Sequence, residues 1–221
     1  MSKGSFISPE QRSGIRARVE PIALAMSRAG LTPNMLTLIG FGIASFGGLL
    51  AAVEWWLLGG VVATVGAGFD MFDGAVARAT GQVSKLGAFM DSTFDRWGEG
   101  VVYLGIVIGA TRAGLDLAAW LAAAALVSAF MVSYTRAKSE SLGFSSGSGM
   151  AAIGLAPREV RTVILGLALV GAGVFGVTAD ASDLGSLILA TGLGLIAVLA
   201  TITVIQRIRF VTSQPSDPGD A

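Results

Sequence analysis

The amino-acid sequence is dominated by six apolar stretches, each close to the length of a membrane-spanning helix. A helix needs about 20 apolar residues to cross the hydrocarbon core of a bilayer. The composition agrees with such spans, because 53% of the 221 residues are hydrophobic and only 14% are charged. The sequence therefore predicts an all-α integral membrane protein with six transmembrane helices. The predicted spans are Asn34–Val53, Trp56–Arg78, Leu86–Thr111, Leu117–Lys138, Val160–Val177 and Leu184–Ile205.

The segments outside the spans differ at the two ends of the chain. Basic residues surround a short apolar pattern near the N-terminus, which predicts an amphipathic helix over Pro9–Ala29 on the membrane surface. The C-terminal end is polar and rich in Pro and Gly, and we expect it to be disordered. We therefore divide the chain into a cytoplasmic N-terminal segment (1–33), a six-span domain (34–207) and a tail (208–221).

The distribution of basic residues predicts which side of the membrane each loop faces. Six spans put both termini on one side, and that side receives 14 of the 15 Lys and Arg residues, all except Arg112. Basic residues collect in cytoplasmic loops. We therefore expect a multi-pass protein of the cell membrane whose termini, and the loop between the second and third spans, face the cytoplasm. The net charge of zero gives no signal for nucleic-acid binding.

Four aspartates lie in the stretch that joins the second and third spans, "DMFDGAVARATGQVSKLGAFMDSTFD". Asp70 and Asp73 are three residues apart, and Asp91 and Asp95 are four apart, so each pair shares one face of a helix. A short turn near residues 80–85 lets the two helices lie antiparallel. The four carboxylates are therefore predicted to converge at one end of the second and third spans.

Four carboxylates at this depth need compensation, because an unpaired charge within a membrane is costly. They can be protonated, bind a metal ion, or act as ordinary helix-end charges that pair with Arg78, Lys85 and Arg96. The chain has no His and no Cys, so neither imidazole nor thiolate is available as a ligand. Ligands that are all oxygen favour a hard cation such as Mg²⁺, Mn²⁺ or Ca²⁺. The small residues Gly74 and Ala77 leave space for a large group beside the acids.

The whole stretch resembles a known motif. From Asp70 to Asp95 it reads D-x2-D-G-x2-A-R-x8-G-x3-D-x3-D, which matches the signature of the CDP-alcohol phosphotransferases at every specified position. Members of that family are integral membrane enzymes that join a CDP-linked alcohol to a second alcohol and release CMP. The resemblance extends to the layout of a surface helix followed by six spans. It implies an enzyme of phospholipid synthesis, with CDP-diacylglycerol as the donor.

The resemblance implies a role for each acid. Asp70, Asp73, Asp91 and Asp95 are expected to bind a pair of Mg²⁺ or Mn²⁺ ions that grip the diphosphate of the donor. Asp95 is also expected to be the general base that takes the proton from the acceptor hydroxyl. For Arg78, a salt bridge to a motif carboxylate is an equally good interpretation. The implied donor site consists of Thr32, Pro33, Asn34, Asp73, Gly74, Ala77 and Arg78.

Three further stretches resemble the phosphatidylinositol-phosphate synthases of actinobacteria, a branch of the same family. They are "SYTRAKSESLG" (133–143), "PREVR" (157–161) and "VIQR" (204–207). The resemblance implies inositol 1-phosphate as the acceptor, held by basic residues at these places, because Arg can donate two hydrogen bonds to one phosphate. Basic residues at cytoplasmic helix ends can equally be topological. The expected phosphate ligands are Arg136, Lys138, Arg158, Arg161 and Arg207.

Two other functions stay open at this point. Glycerol 3-phosphate needs a similar basic pocket, so a phosphatidylglycerophosphate synthase, or another CDP-alcohol phosphotransferase, is the first alternative. A divalent-cation transporter is the second, because acids within a membrane protein also suit ion transport. Against it, the acids cluster at one end, and the other spans are not predicted to carry acids deep in the membrane.

Two glycines indicate where helices pack closely together. Gly105 and Gly109 have the spacing that is typical of close helix contacts, within the bundle or at a dimer face. We expect the protein to act as a homodimer in the lipid bilayer.

Overall fold

The computed structural model describes residues 20–144, 153–178 and 183–214, and all regular secondary structure in these ranges is helical. This agrees with the predicted all-α class. The first helix, α1, covers residues 20–28, whereas residues 9–19 of the predicted surface helix lie outside the described residues. The other helices are α2 (Pro33–Ala52), α3 (Trp56–Gly68), α4 (Asp70–Ala79), α5 (Lys85–Arg112), α6 (Asp116–Ser141), α7 (Arg158–Phe175) and α8 (Leu184–Thr212).

Each predicted span coincides with a helix or a pair of helices. The second span is divided, because α3 ends at Gly68 and α4 begins at Asp70. Helices α5 and α7 lie where the third and fifth spans are predicted, but both carry several charged residues in their first halves. Four helical segments of the described chain are long and apolar enough to cross a membrane: Pro33–Ala52, Trp56–Ala79, Asp116–Ser141 and Leu184–Thr212.

The last helix is longer than predicted. It ends at Thr212 rather than near Ile205, because apolar residues continue beside the arginines of its last turns. Its end is also tied to the loop after α6, since Gln214 Nε2 donates a 2.7 Å hydrogen bond to the carbonyl oxygen of Phe144. Residues 208–212 thus belong to α8, and residues 215–221, which make up the rest of the predicted disordered tail, lie outside the described chain.

Small residues let the helices approach closely. Helix α2 packs against α3 and α5, α6 packs against α8, and α7 packs against α3 and α8. At the contact between α2 and α5, a Cβ on Gly48 would lie 2.8 Å from the carbonyl oxygen of Val101, and a Cβ on Gly105 would overlap the carbonyl oxygen of Gly48. Gly109 approaches the carbonyl oxygen of Ala51 in the same way. The close contacts predicted for Gly105 and Gly109 are thus made within the bundle.

Helix α4 is held against the start of α2, and this contact places its acids. Val76 of α4, Leu36 of α2 and Ala23 of α1 form a small buried apolar cluster. The side-chain oxygens of Thr32 and Ser84 cap the starts of α2 and α5 by accepting hydrogen bonds from backbone N–H groups. The starts of α2 and α5 therefore lie beside α4 at one end of the bundle.

We predict that the change Gly105→Ala destabilises the bundle. The added methyl group meets the backbone carbonyl of Gly48, which cannot rotate away as a side chain can, and such overpacking costs about 1–3 kcal/mol. Thermal unfolding of the detergent-solubilised protein measures the effect. Gly42→Ala is the matched control on α2, because a Cβ there meets no atom within 4 Å. Equal melting temperatures for the two variants would contradict the packing described above.

Candidate active site

Three cavities meet at the four aspartates. The polar cavity, of about 910 Å³, is lined from α4 to α8 and is bordered by Asp70, Asp91 and Asp95. The α2–α4 cavity, of about 560 Å³, lies beside the starts of α2 and α5 and is bordered by Asp73 and Asp91. The interior cavity, of about 50 Å³, extends into the bundle from Asp70, Asp73 and Asp95. Each aspartate therefore borders two of the three cavities.

The α2–α4 cavity gathers the residues expected in the donor site. Small side chains of α4 form part of its wall, and a Cβ on Gly74 would lie 3.1 Å from Nη1 of Arg78. None of the ion pairs among the described residues involves Arg78, so its proposed salt bridge to a motif carboxylate is not formed. All seven expected residues line this cavity: Thr32, Pro33, Asn34, Asp73, Gly74, Ala77 and Arg78.

Three of the four acids have partners in the protein. Arg158 of α7 donates from Nη1 to Oδ2 of Asp70 and, over 2.7 Å, to Oδ2 of Asp95. The buried carboxylate of Asp73 accepts a 2.6 Å hydrogen bond from Oγ1 of Thr37. The acids therefore pair with two arginines: Arg96, one of the predicted partners, lies 3.5 Å from Oδ2 of Asp95, and Arg158 was expected among the phosphate ligands.

Asp91 is the exception. Its Oδ1 is buried and has no hydrogen-bond partner among the described residues, and the charges of Asp70 and Asp73 are close enough to repel it. As the side chains stand, no three acidic residues of the described chain converge closely enough to hold a metal ion, and Arg158 contacts two of the four aspartates. A buried carboxylate oxygen without a partner is nevertheless the kind of atom that a hard cation satisfies.

The five expected phosphate ligands are not equivalent. Arg136, Arg158, Arg161 and Arg207 line the polar cavity, and Lys138 does not. Lys138 is exposed and lies two residues from Arg136, which puts it on the opposite face of α6. Lys138 is therefore the one expected phosphate ligand that the structure does not bring to the polar cavity. Arg158 lies in the cavity, but its contacts are to the acids.

Arg207 is a buried cation without an acidic partner among the described residues. Its Nε donates over 3.0 Å to the carbonyl oxygen of Ile153, and its Nη1 donates to the carbonyl oxygen of Val132. The positive charges of Arg136 and Arg161 are close enough to act on it. Positive charge that is concentrated in this way favours an anion in the polar cavity.

A buried ion pair between Arg161 and Glu99, which was not predicted from the sequence, also belongs to the site. Arg161 is only 1% exposed, and it donates from Nε and Nη2 to the two carboxylate oxygens of Glu99 over 2.9 and 2.8 Å. Its Nη1 donates over 3.0 Å to the carbonyl oxygen of Ala156, so three of its five N–H groups are occupied. Glu99 follows Asp95 by four residues on α5, and this helical spacing is the signal that could have identified it.

Comparison with known proteins places the chain in a family. Residues 30–203 match the family model described as CDP-alcohol phosphatidyltransferase. The match covers most of the chain, and the chain therefore belongs to this family of enzymes that transfer a phosphatidyl group. Together with its apolar helices, this makes the chain a multi-pass membrane protein. The divalent-cation transporter is no longer needed to explain the acids.

Two similar proteins match along most of the chain, and both are named as synthases of an inositol phosphate lipid. The chain is 38% identical over 202 residues to an archaetidylinositol phosphate synthase of Pyrococcus horikoshii, across 89% of this chain and 92% of the relative. It is 35% identical over 204 residues to a phosphatidylinositol phosphate synthase of Mycolicibacterium smegmatis, across 88% of this chain and 84% of the relative. Both relatives are named for a product that contains inositol phosphate, but the lipid part is archaetidyl in one name and phosphatidyl in the other.

Solved structures of one relative have the same fold. The phosphatidylinositol phosphate synthase of Mycobacterium tuberculosis with CDP-DAG bound matches with a TM-score of 0.77 and 30% identity, over 90% of this chain and 95% of that one. The same enzyme in complex with manganese and citrate matches with a TM-score of 0.74 and 28% identity, over 90% of each chain.

We predict that Arg161→Gln destabilises the protein strongly. It leaves the carboxylate of Glu99 buried and unpaired, a loss of about 3–5 kcal/mol when one partner of a buried ion pair is removed. The double variant Glu99→Gln/Arg161→Gln removes both charges and should recover part of that loss. Chemical denaturation of the single and double variants measures the coupling between the two residues.

The exposed Arg136–Glu140 pair, at 2.8 Å, is the control for this experiment. Arg136→Gln should cost less than about 1 kcal/mol, because exposed ion pairs contribute little. Strictly additive losses for Glu99→Gln and Arg161→Gln would contradict a buried pair.

Proposed function

We propose that the protein transfers a phosphatidyl group, or its ether-lipid equivalent, from a CDP-linked lipid to a phosphorylated polyol and releases CMP. CDP-diacylglycerol is the favoured donor, and inositol 1-phosphate is the favoured acceptor, which gives phosphatidylinositol phosphate. The observation that carries this proposal is the cluster of Arg136, Arg161 and Arg207 in a cavity that is also bordered by Asp95. The names of the inositol phosphate synthases among the relatives support it.

The α2–α4 cavity suits the nucleotide part of the donor. Gly74 and Ala77 leave its wall free of large side chains, and Arg78 offers a cation that forms no ion pair with any described residue. Asp73 and Asp91 border the same cavity, so a diphosphate bound there would lie next to the acids. The solved relative with CDP-DAG bound supports a donor of this class.

The acids suit a pair of divalent cations, Mg²⁺ or Mn²⁺. Their donor atoms are all carboxylate oxygens, and Oδ1 of Asp91 has no other partner in the described part of the chain. Asp70, Asp73, Asp91 and Asp95 would hold the ions, and Arg158 would release the two carboxylates that it contacts. When bound, such ions neutralise the phosphate oxygens of the donor and stabilise the departing CMP. The solved relative that contains manganese supports this assignment.

Asp95 suits the role of general base, because its carboxylate borders the polar cavity where a water-soluble acceptor would bind. The acceptor hydroxyl oxygen attacks the phosphorus attached to the lipid, and its proton passes to Asp95. The bond from that phosphorus to the CMP oxygen breaks, and its electron pair leaves with CMP. Once Arg158 has released this carboxylate, Arg96, at 3.5 Å from Oδ2, is the cation that holds it in place.

The arginine cluster suits the phosphate of the acceptor. Among the described contacts, Arg207 uses two of its five N–H groups and Arg161 uses three, so both retain N–H groups for a ligand. A phosphate monoester carries about two negative charges near neutral pH. We assign Arg136, Arg161 and Arg207 to this phosphate. We assign Arg158 to the acids instead.

The topology follows from the distribution of charge. We propose six spans, with the termini and the site on the cytoplasmic side, and a homodimer in the bilayer. In α5 and α7 the charged residues lie mainly in the first half and the remainder is apolar. Charges that line a water-filled cavity are compatible with a membrane span, so both helices can cross while their first turns face the site.

One assay tests the proposed reaction. The purified protein should release CMP from CDP-diacylglycerol when inositol 1-phosphate and Mg²⁺ are present, and EDTA should abolish the release. Free inositol and serine should give none, because they bring no phosphate to the arginine cluster. Turnover with glycerol 3-phosphate alone would move the assignment to a phosphatidylglycerophosphate synthase. Full activity in EDTA would contradict the role of the acids.

We predict that Asp95→Asn reduces kcat by roughly 10²–10⁴-fold, which is the usual contribution of a general base. Donor binding should be largely retained. Asp91→Asn is the comparison, since it should weaken donor binding and turnover together. A near-normal rate for Asp95→Asn at saturating acceptor would exclude Asp95 as the base.

We predict that Arg207→Gln raises the KM for the phosphorylated acceptor by about 10- to 150-fold, the equivalent of one charge-assisted hydrogen bond. The KM for the donor should stay near the wild-type value. Arg209→Gln is the matched control, because Arg209 lies on the same helix but is exposed and lines none of the three cavities. An equal effect of both changes would show that Arg207 acts only as a topological charge.

A further inference from the structure

The segment that leads into α7 is held by α8. Residues 153–156 have no regular secondary structure, yet Oγ1 of Thr203 accepts hydrogen bonds from the backbone N–H groups of Leu155 and Ala156, both over 3.0 Å. Thr203 is 0% exposed, and it also donates over 2.8 Å to the carbonyl oxygen of Leu199. Its hydroxyl therefore uses its single donor and both of its acceptor positions.

Other contacts give the same segment a defined conformation. Arg207 Nε donates over 3.0 Å to the carbonyl oxygen of Ile153, and Arg161 Nη1 donates over 3.0 Å to that of Ala156. Gly154 has a φ of +125°, which L-residues rarely adopt, and a Cβ there would overlap the methyl group of the threonine on α8. Arg161 and Arg207 of the polar cavity thus bond to a segment in which the N–H groups of Leu155 and Ala156 donate hydrogen bonds to a single hydroxyl, that of Thr203.

The first turn of α7 continues directly from this segment. Pro157 follows Ala156 and is the residue that precedes the helix, and Arg158 and Arg161 lie in its first turn. These two arginines contact acids on other helices: Arg158 reaches the motif aspartates, and Arg161 reaches Glu99. A shift of the segment would move both guanidinium groups relative to those acids.

We propose that Thr203 is a positioning residue of the acceptor site, which acts by fixing residues 153–156 and thereby the arginines at the start of α7. The inference rests on the proposed function, because it assumes that Arg161 binds the acceptor phosphate. Thr203 itself lines none of the three cavities. Without its hydroxyl the segment populates other conformations, and the apparent acceptor affinity falls in proportion to the productive fraction.

The test is the nearly isosteric change Thr203→Val, which leaves the N–H groups of Leu155 and Ala156 unpaired. The loss of one or two buried hydrogen bonds should raise the acceptor KM by about 5- to 30-fold. The donor KM should remain at the wild-type value. Thr203→Ser keeps the hydroxyl and should restore the acceptor KM. Thr201→Val is the matched control, because Thr201 is exposed on the same helix and its side chain bonds, within the described chain, to Ser128 and Ala197 and not to residues 153–156.

Hydrogen exchange gives a second readout that does not depend on activity. The amides of Leu155 and Ala156 should exchange faster in Thr203→Val, and at the wild-type rate in Thr203→Ser and Thr201→Val. Unchanged exchange overturns the proposal, and so does an unchanged acceptor KM in an active variant. A joint rise of donor and acceptor KM also overturns it, because that result indicates a general loss of structure. If Thr203→Val does not fold, Thr203→Ala is measured by the same criteria.

The failure of the proposed function would look different. In that case the wild-type protein itself would release no CMP from CDP-diacylglycerol with inositol 1-phosphate or glycerol 3-phosphate. Such a result overturns the acceptor role of Thr203 together with that of the arginines. A wild-type enzyme that is active, with a Thr203→Val variant that is indistinguishable from it, overturns the positioning role alone.

Discussion

The buried acids of α4 and α5 create the requirement on which the rest of the site depends. Carboxylates that leave water need positive charge or hydrogen-bond donors beside them, and α7 supplies the positive charge. Asp95 contacts Arg158 and Glu99 contacts Arg161, about one helical turn apart on each helix. The two contacts together define how α7 is rotated relative to α5. The start of α7 therefore lies over the aspartates.

The ion pairs between α7 and the acids of α4 and α5 also leave space between the helices at the site. Helices α5 and α7 are not among the closely packed pairs of the described chain, so long side chains bridge the space between them. The polar and interior cavities occupy that space, and they differ in character: charged residues line the polar cavity, whereas the interior cavity is lined largely by small and apolar residues such as Ala44 and Leu169. A lipid-linked donor and a water-soluble acceptor can then reach the same acids from different sides.

Much of this arrangement could be predicted from local sequence. Helical periodicity predicted the faces of the aspartates, and a single short turn was enough to bring α4 beside the start of α5. The pairing of Arg158 and Arg161 with acids on α4 and α5 could not be predicted, because it depends on the rotation of a helix that is distant in the sequence. The same limit explains why Lys138 was expected in the site. Its spacing from Arg136 puts the two residues on opposite sides of α6, but only the packed bundle shows which of the two sides lies towards the cavity. Thr203 was missed because a Thr within an apolar span gives no local signal.

The central claim is that the four aspartates hold divalent cations at the meeting point of the donor and acceptor cavities. Anomalous diffraction from crystals grown with Mn²⁺ tests it most directly. We expect Mn²⁺ to be bound by Asp70, Asp73, Asp91 and Asp95, with the guanidinium of Arg158 moved away from Asp70 and Asp95. A catalytically active protein whose crystals show no Mn²⁺ at these residues, and Arg158 still bridging the two carboxylates, would contradict it.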